Sequence, residues 1–551
     1  MSYDRLWQSW DPWSFIPADY NLGLDLTTAQ VAHGRGDQVV LLWENAAGRA
    51  RSLSYRQLDE LSTCFARVLA HCGVSRGARV LLRLPNIPEF YVAALGAAKN
   101  GCIFVPTSTQ FRTSELEYRL RDSEASAVVV TSSLLHAVEE VAPRCPALQH
   151  IFVVPYPDPG PVRPYADFVQ ACSDTTEQAA MWQPAATRHD DLAFLGYTSG
   201  TTGDSKGVAH YHRYPRAYEG QGRFWHDYRD GDVVACPSEL GWLLPLATTF
   251  LYALCRGLTV VLYDSMGQPF AARRWFELFQ RYRISNFTAT PTAYRHLLAA
   301  AELGAEYDLS WWRHGVSCGE PLPAETFQGV QRHFRVTLFD GLGTTECPVY
   351  CSSLVPCPVR AGSCGRPGAA TVIKLMDGDL RPVAEGAEGI LCVRRVEHPG
   401  IMQGYWQKPE QTAEVFRGPW YVTGDVLRRD QDGYYWFQGR TDDLIKSAGY
   451  LISPFEIERC LDAHSAVAEA AVVGEDDLLR GQVIKAYIVL RNPEAASEQL
   501  ADDIRAFVRG KLAPYKCPRR IEFAAAIPKT TSGKIRRVDL RTRPSLSDGT
   551  S

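Results

Sequence analysis

The sequence has no C-x-x-C pair, although it contains 15 cysteines in 551 residues. Cys347, Cys351, Cys357 and Cys364 form the densest group, and their spacings fit no familiar zinc site. Free, mostly buried thiols in a reducing compartment are therefore expected. No stretch approaches the roughly 18 consecutive apolar residues of a membrane span. The N-terminus, M-S-Y-D-R-L-W-Q-S-W-D-P-W, lacks the basic start and apolar core of a secretory signal. Neither sign of charge dominates: 58 Lys and Arg against 62 Asp and Glu leave −4, so the balance does not point to nucleic acid or an anionic membrane. Internal repeats and low-complexity segments are missing as well. What remains is a globular, cytoplasmic protein, too long for one core and therefore divided into subdomains.

Within that frame, β-branched runs alternate with amphipathic stretches. Strands are expected at 79–84, 103–106, 127–131, 151–154, 233–236 and 259–262, and helices at 55–72, 89–99 and 271–283. This alternation argues for an α/β fold with open, largely parallel sheets covered by helices. After about residue 365 the texture changes to short strands, 371–376, 389–394 and 434–439, separated by Gly-rich turns. A compact α+β unit follows. It should contain a helix opened by a Ser453-to-Glu456 capping box, strands at 468–473 and 483–490, and a helix at 497–512.

The most informative segment is Y-T-S-G-T-T-G-D-S-K-G-V at 197–208. Gly200 and Gly203 let the backbone approach an anion closely. The hydroxyls of Thr198, Ser199, Thr201 and Thr202 add donors, and Lys206 adds positive charge. A Walker A loop would need Ser or Thr after its lysine, and here Gly207 follows Lys206. The competing reading is a plain Gly/Ser/Thr surface loop. Against it, 192–196 reads as a buried strand that would hold the loop at a sheet's carboxyl end, where α/β sheets bind ligands. His210 and His212 alternate as two strand ligands could. With no third ligand near, packing or surface roles are expected.

Further motifs stand in order along the chain: C-G-E-P-L-P at 318–323, D-G-L-G-T-T-E at 340–346, Y-V-T-G-D at 421–425, G-R-T-D-D-L-I-K at 439–446 and P-K-T-T-S-G-K-I-R-R at 528–537. With the 197–207 loop they resemble the adenylate-forming superfamily, which includes acyl-CoA synthetases, aryl-CoA ligases, luciferases and carrier-protein-loading adenylation domains. The resemblance implies a large N-terminal AMP-binding domain, 1–440, of stacked, mostly parallel sheets with helices and a β-rich subdomain at about 365–440. It also implies a small mobile α+β C-terminal domain, 441–551, with a hinge near Asp442. The implied chemistry activates a carboxylic acid with ATP to an acyl-adenylate, releasing pyrophosphate, and then passes the acyl group to the thiol of CoA.

The resemblance also assigns roles. The 198–206 loop would hold the β- and γ-phosphates, with Ser205 standing where a proline is usual. Gly319, Glu320 and Pro321 would line adenine. Asp340, Gly341, Leu342, Gly343 and Thr344 would run past adenine and the α-phosphate, with Thr345 the α-phosphate contact and Glu346 the Mg²⁺ ligand. Asp425 would take the ribose hydroxyls, and Arg440 the ribose or phosphates. Each of these two, taken alone, reads equally as half of a structural ion pair. Lys534 would stabilise the charge growing between carboxylate and α-phosphate, although its basic neighbours Lys529, Arg536 and Arg537 also read as a solvated patch. Domain rotation would bring Ala448, Gly449 and Tyr450 to the thiol tunnel.

Subclass signals divide. Leu451 stands where acetyl- and medium-chain enzymes carry arginine, and D-G-L-G-T-T-E resembles benzoate-type ligases, while the C-terminal unit looks like medium-chain enzymes. Acetate-specific relatives place tryptophan where Gly343 stands, so an aromatic, alicyclic or medium-chain acid is expected, with Trp242 and Tyr211 as candidate pocket residues. CoA is expected over a carrier protein because the chain stops soon after Lys534. A free-standing carrier-loading enzyme is the first alternative and a silent ATP-binding regulator a remote one. The remaining expected partners are a second copy of the chain and a lysine acetyltransferase acting on Lys534.

Overall fold

The computed structural model describes residues 10–158, 166–168, 182–198, 205–355, 357–368, 371–441, 443, 445–447, 450–477, 481–529 and 535–541. These fall into two compact units. The larger takes in the described residues of Met1–Thr198, Lys206–Val372 and Val393–Tyr421, the smaller those of Ser199–Ser205, Ile373–Cys392 and Val422–Ser551.

Two sheets dominate the larger unit. One has nine strands, of which six in succession are parallel: Leu338–Leu342, His314–Cys318, Asn286–Ala289, Val233–Ala235, Thr259–Asp264 and Val39–Asn45. The other has eight strands, again with six in parallel: Leu192–Tyr197, Ile103–Pro106, Arg79–Arg83, Ala127–Thr131, His150–Val154 and Ala166–Asp167. A single core joins them, drawing Leu41 and Val260 from the first and Val80, Phe104 and Phe194 from the second. The Pro88–Lys99 helix lies within this core with all but one residue buried, as its sequence P-E-F-Y-V-A-A-L-G-A-A-K, apolar on every face, requires.

Every strand and helix expected in this region is present within a residue or two. The 271–283 helix is shorter by its two end residues because both are caps. Ala271 is extended, and Arg283 is left-handed with φ 53°. The 55–72 helix likewise ends at His71 and opens on a full capping box between Ser54 and Gln57.

The smaller unit carries the strands Ile373–Met376 and Tyr435–Arg440 and most of Glu388–Arg394 and Trp420–Arg429. It also carries a separate five-stranded sheet around the long hairpin Val467–Asp477 and Gly481–Leu490, flanked by the helices Pro454–Asp462 and Glu498–Lys511. One local expectation is corrected here. Ser453 Oγ accepts from the Glu456 amide, but the reciprocal half of the capping box is not made. The Glu456 carboxylate is taken by Lys516 at 2.5 Å, an ion pair that offers it more than a backbone amide does.

None of the 14 described cysteines is in a disulfide, and ten of them are buried. Among the described residues no helix is long and apolar enough to cross a membrane.

Candidate active site

The Leu192–Tyr197 strand is buried through its middle and pairs antiparallel with Gly207–Tyr211, and the Gly/Ser/Thr segment joins the two. Two hydrogen bonds close its mouth: Thr198 N–H donates to Lys206 O, and Lys206 N–H donates to Thr198 Oγ1, each at 3.0 Å. Ser199, Gly200, Thr201, Thr202 and Gly203 lie outside the described residues. Lys206 Nζ stands 4.7 Å from the ring centre of Tyr405. The Tyr405 hydroxyl donates to Glu346 Oε1 at 2.7 Å. Lysine, tyrosine and carboxylate are thus linked by one ring, which bears the cation on its face and the acid at its hydroxyl.

Tyr405 reaches this position through the two-residue strand Gly404–Tyr405, which pairs Tyr405 with Val208 beside the loop. Met402 N–H donates to Glu346 O at 2.9 Å and fixes the other side. The sequence motifs contain no sign of Tyr405, because its relation to Lys206 and Glu346 exists only after the chain has folded.

Thr344, Thr345 and Glu346 follow the Leu338–Leu342 strand at its carboxyl end. Gly319, Glu320 and Pro321 follow the neighbouring parallel strand, His314–Cys318, whose register sets Ser317 beside Asp340 and Cys318 beside Gly341. The two motifs are therefore adjacent, as the switch from strand to loop in an α/β sheet would have it. Gly319 has φ +97°, a conformation that favours glycine. Glu320 is turned toward Thr292, whose hydroxyl donates to its Oε2 at 2.8 Å. Thr344 Oγ1 meets the Tyr421 hydroxyl at 3.0 Å. Thr345 O accepts from His210 Nε2 at 2.9 Å. Burial holds the Asp340 carboxyl up to about 8, against the opposing pull of the Ser317 hydroxyl and the Gly341 amide.

Gly341 and Gly343 leave no room for a side chain. A Cβ on Gly341 would lie 2.3 Å from Trp225, and one on Gly343 would lie 1.7 Å from Pro348 O. At Gly343 the obstacle is backbone, so the close approach of 343 to 348 shapes the loop that carries Thr345 and Glu346.

In the smaller unit, Asp425 and Arg440 are partners in register across the Trp420–Arg429 and Tyr435–Arg440 strands, and Arg440 donates to Asp425 Oδ1 at 2.9 Å. The ion-pair reading of these two residues is thus realised, with Asp425 buried and Arg440 partly open. The described basic residues beside Lys534 are all ion-paired, Lys529 and Arg536 at the surface and Arg537 in the interior. Lys529 pairs with Glu469 at 2.7 Å, Arg536 with Asp539 at 3.1 Å, and the buried Arg537 takes both oxygens of Glu458 at 2.7 Å. Lys529 and Ile535 form an isolated antiparallel bridge. Lys534 itself, with Asp442, Ala448 and Gly449, lies outside the described residues. Tyr450 begins the strand Tyr450–Ile452.

His210 and His212 are not metal ligands. His210 stacks on Phe194, His212 Nδ1 accepts from Leu22 N–H, and burial depresses both imidazoles, to about 3 and about 4. The described residues hold no group of three His, Cys, Asp or Glu that could cage a metal unaided. Glu346, by contrast, is one partly buried carboxylate linked through Tyr405 to Lys206. That donor set suits Mg²⁺, which usually takes one or two carboxylates and completes its shell with phosphate oxygens and water.

A clamped Gly/Ser/Thr loop, a lysine at its mouth and a carboxylate at the carboxyl ends of parallel strands define a nucleotide-handling α/β enzyme. The chain belongs to the AMP-binding enzyme family: the family's main model matches residues 28–406 and its C-terminal domain model residues 456–534. Within that family it is 35% identical over 528 residues to an uncharacterised acyl-CoA ligase of Bacillus subtilis (strain 168), with 96% of each chain covered. Two solved structures share the fold. An anthranilate CoA ligase in complex with anthranoyl-AMP has a TM-score of 0.84 at 30% identity, covering 96% of this chain and 98% of the other. A benzoate CoA ligase from Burkholderia xenovorans LB400 has a TM-score of 0.82 at 29% identity, covering 95% and 100%.

Proposed function

We propose that this enzyme joins a carboxylic acid larger than acetate, whether aromatic, alicyclic or medium-chain, to CoA through an acyl-adenylate. The activity is that of an AMP-forming acyl-CoA ligase, and family membership over nearly the whole chain supports it. The observation that carries the reading of the site is the Lys206–Tyr405–Glu346 arrangement at the clamped loop.

In this reading Lys206 and the 198–203 loop hold the β- and γ-phosphates. Thr345 meets the α-phosphate, and the segments 319–321 and 340–344 flank adenine. Asp425 takes the ribose hydroxyls and Arg440 contacts ribose or phosphate. The Arg440–Asp425 contact supports this by fixing one carboxylate oxygen and orienting the other. Glu346 would hold Mg²⁺, which neutralises charge on the triphosphate. Lys534 stabilises charge as the carboxylate attacks the α-phosphate. A C-terminal domain beginning near 441 then turns about Asp442, removing Lys534 and presenting Ala448, Gly449 and Tyr450 to the thiol.

The benzoate and anthranilate ligases among the structural neighbours favour an aromatic acid. The Gly343 backbone contact supports an acid larger than acetate, because no side chain can close the pocket there without moving Pro348. Described cysteines outside any disulfide suit the cytoplasm. Acylation of Lys534 by an acetyltransferase would remove the charge its role needs, and a homodimer is compatible with the reading.

ATP–pyrophosphate exchange across a panel of acids, with acyl-CoA measured separately, tests the whole. Exchange with larger acids and CoA-dependent thioester formation are expected. Fastest exchange with acetate would refute the Gly343 reasoning, and exchange without acyl-CoA would favour a carrier protein as acceptor.

A further inference from the structure

The helix Thr113–Asp122 ends on an acid, the sign of charge that a helix C-terminus disfavours. The Asp122 carboxylate is shared between two distant parts of the chain. Its Oδ2 accepts from the hydroxyl of Tyr197 at 2.7 Å, and its Oδ1 forms an ion pair with Lys408 Nζ. Tyr118, one turn back on the same helix, also reaches Oδ1, at 3.4 Å. Both members of the ion pair are largely withdrawn from solvent, Asp122 being 12% and Lys408 21% exposed. Burial and the neighbouring carboxylate hold the Tyr197 phenol far above its usual range, so it is always the donor.

Both partners of Asp122 belong to the phosphate site. Tyr197 is the last residue of the strand leading into the 198–206 loop. Its ring lies where a side chain at Gly207 would go: a Cβ there would be 3.2 Å from Tyr197 Cζ and 3.4 Å from Trp406 Cβ. Lys408 follows Tyr405 by three residues, in a turn that leaves a strand of only two residues. Gln407, between them, has a left-handed backbone with φ 52°, which a residue bearing a side chain adopts at a cost. Contacts on either side fix that conformation. Trp406 N–H donates to Gly207 O at 2.7 Å, Gln407 Nε2 donates to Glu124 Oε2 at 3.0 Å, and Lys408 is held by Asp122. The end of one helix thus grips both the base of the phosphate loop and the turn carrying Tyr405.

We infer that Asp122 is the positioning residue of the triphosphate site: by tying Tyr197 to Lys408 it sets the spacing of Lys206, Tyr405 and Glu346, and through them the affinity for MgATP. The inference rests on the ligase reading above and deepens it. A buried ion pair gains little net stability, because the loss of water offsets the attraction, so stability alone does not account for this one. What it supplies is a single geometry. With one carboxylate oxygen for each partner, the base of the loop and the Tyr405 turn are held at one separation. Arg216 and Asp25 provide the comparison. They form an ion pair of similar burial in the same unit, 25% and 12% exposed at 2.6 Å, but they join the segments 214–217 and 24–28 instead.

The test is calorimetric titration of the full-length enzyme with MgATP, together with KM for ATP and for the acid in ATP–pyrophosphate exchange. Asp122→Asn, which removes the charge facing Lys408, and Lys408→Met should each weaken MgATP binding about tenfold and raise KM for ATP in step. KM for the acid should stay within about twofold of wild type, a split that a general loss of structure would not produce. Lys408→Arg, which restores a cation, should recover most of the loss. Arg216→Met should lower the melting temperature and leave both nucleotide constants as they were. Unchanged MgATP affinity in Asp122→Asn and Lys408→Met, equal rises in KM for ATP and acid, or an Arg216→Met enzyme equally weakened toward MgATP would overturn the inference. Failure of the ligase reading looks different: no acid supports exchange, while the MgATP titrations still decide the part of Asp122. A wild-type enzyme that does not bind MgATP would overturn both.

Discussion

Replacing Tyr405 by phenylalanine separates the two contacts that this residue makes. The hydroxyl's hydrogen bond to Glu346 Oε1, 2.7 Å long, is lost, while the ring beneath Lys206 Nζ, at 4.7 Å, remains. A hydrogen bond to a charged group contributes about 1.5–3 kcal/mol, and about 1.4 kcal/mol corresponds to a factor of ten. If the bond positions Glu346 in the reacting complex, Tyr405→Phe should lower kcat/KM for ATP in the exchange assay by about 10- to 100-fold. A higher Mg²⁺ concentration for half-maximal rate should accompany the loss. Tyr405→Leu removes the ring as well, so it should cost a further 0.5–1 kcal/mol, roughly another two- to fivefold, from the lost cation–π contact. Thermal melts of both variants report whether the fold survives. A Tyr405→Phe enzyme with more than half of wild-type kcat/KM and an unchanged Mg²⁺ dependence would refute this account of the site. A leucine variant no worse than phenylalanine would refute the part assigned to the ring.

A methyl group added at Gly343 would sit 1.7 Å from Pro348 O, so the loop bearing Thr345 and Glu346 must open by more than 1 Å. Gly343→Ala should therefore cut exchange activity about 100-fold, the usual penalty for a misplacement of that size; near-normal rates would mean that the loop is not so constrained. Five buried imidazoles, His210, His212, His226, His314 and His398, are held below their ordinary range by burial. Their folded pKa values lie below the unfolded value near 6.5, so the stability tied to their neutral forms is complete above that pH and is lost as pH falls. Each contributes about 1.4 kcal/mol per pH unit below 6.5 until its folded pKa is reached. Urea midpoints should drop steeply between pH 7 and 5, and a flat profile would count against burial of the group. Asp442→Pro should spare adenylate formation and depress thioester formation; equal loss in both half-reactions would exclude a hinge there.

What could be read from the sequence was whatever a local pattern encodes. The 103–106 and 127–131 strands are continuous apolar runs, and both appear with the expected bounds. Some helix ends were misjudged where caps, such as Ala271 and Arg283, match the helical pattern without helical dihedrals. The Ser453 capping box was half right because Lys516, 60 positions from Glu456, competes for its side chain. The same limit hid Tyr405. Its strand is two residues long, too short for any periodicity, and its bond to Glu346 spans 59 positions. The motifs supplied the two ends of the Lys206–Glu346 arrangement, and only the fold supplied the ring between them.

The short Gly404–Tyr405 strand also bears on the timing of folding. It completes one edge of the eight-stranded sheet by pairing with Gly207–Tyr211, about two hundred positions earlier in the chain. Contacts of such long range form late, because the intervening chain must be ordered before they return any stability. During synthesis, the parallel strands from 79 to 197 can assemble while residue 405 has yet to leave the ribosome. A nascent chain released before that point would have the loop and Lys206 but no ring to seat the lysine and no hydroxyl for Glu346. Chains too short to free Tyr405 should therefore lack nucleotide affinity.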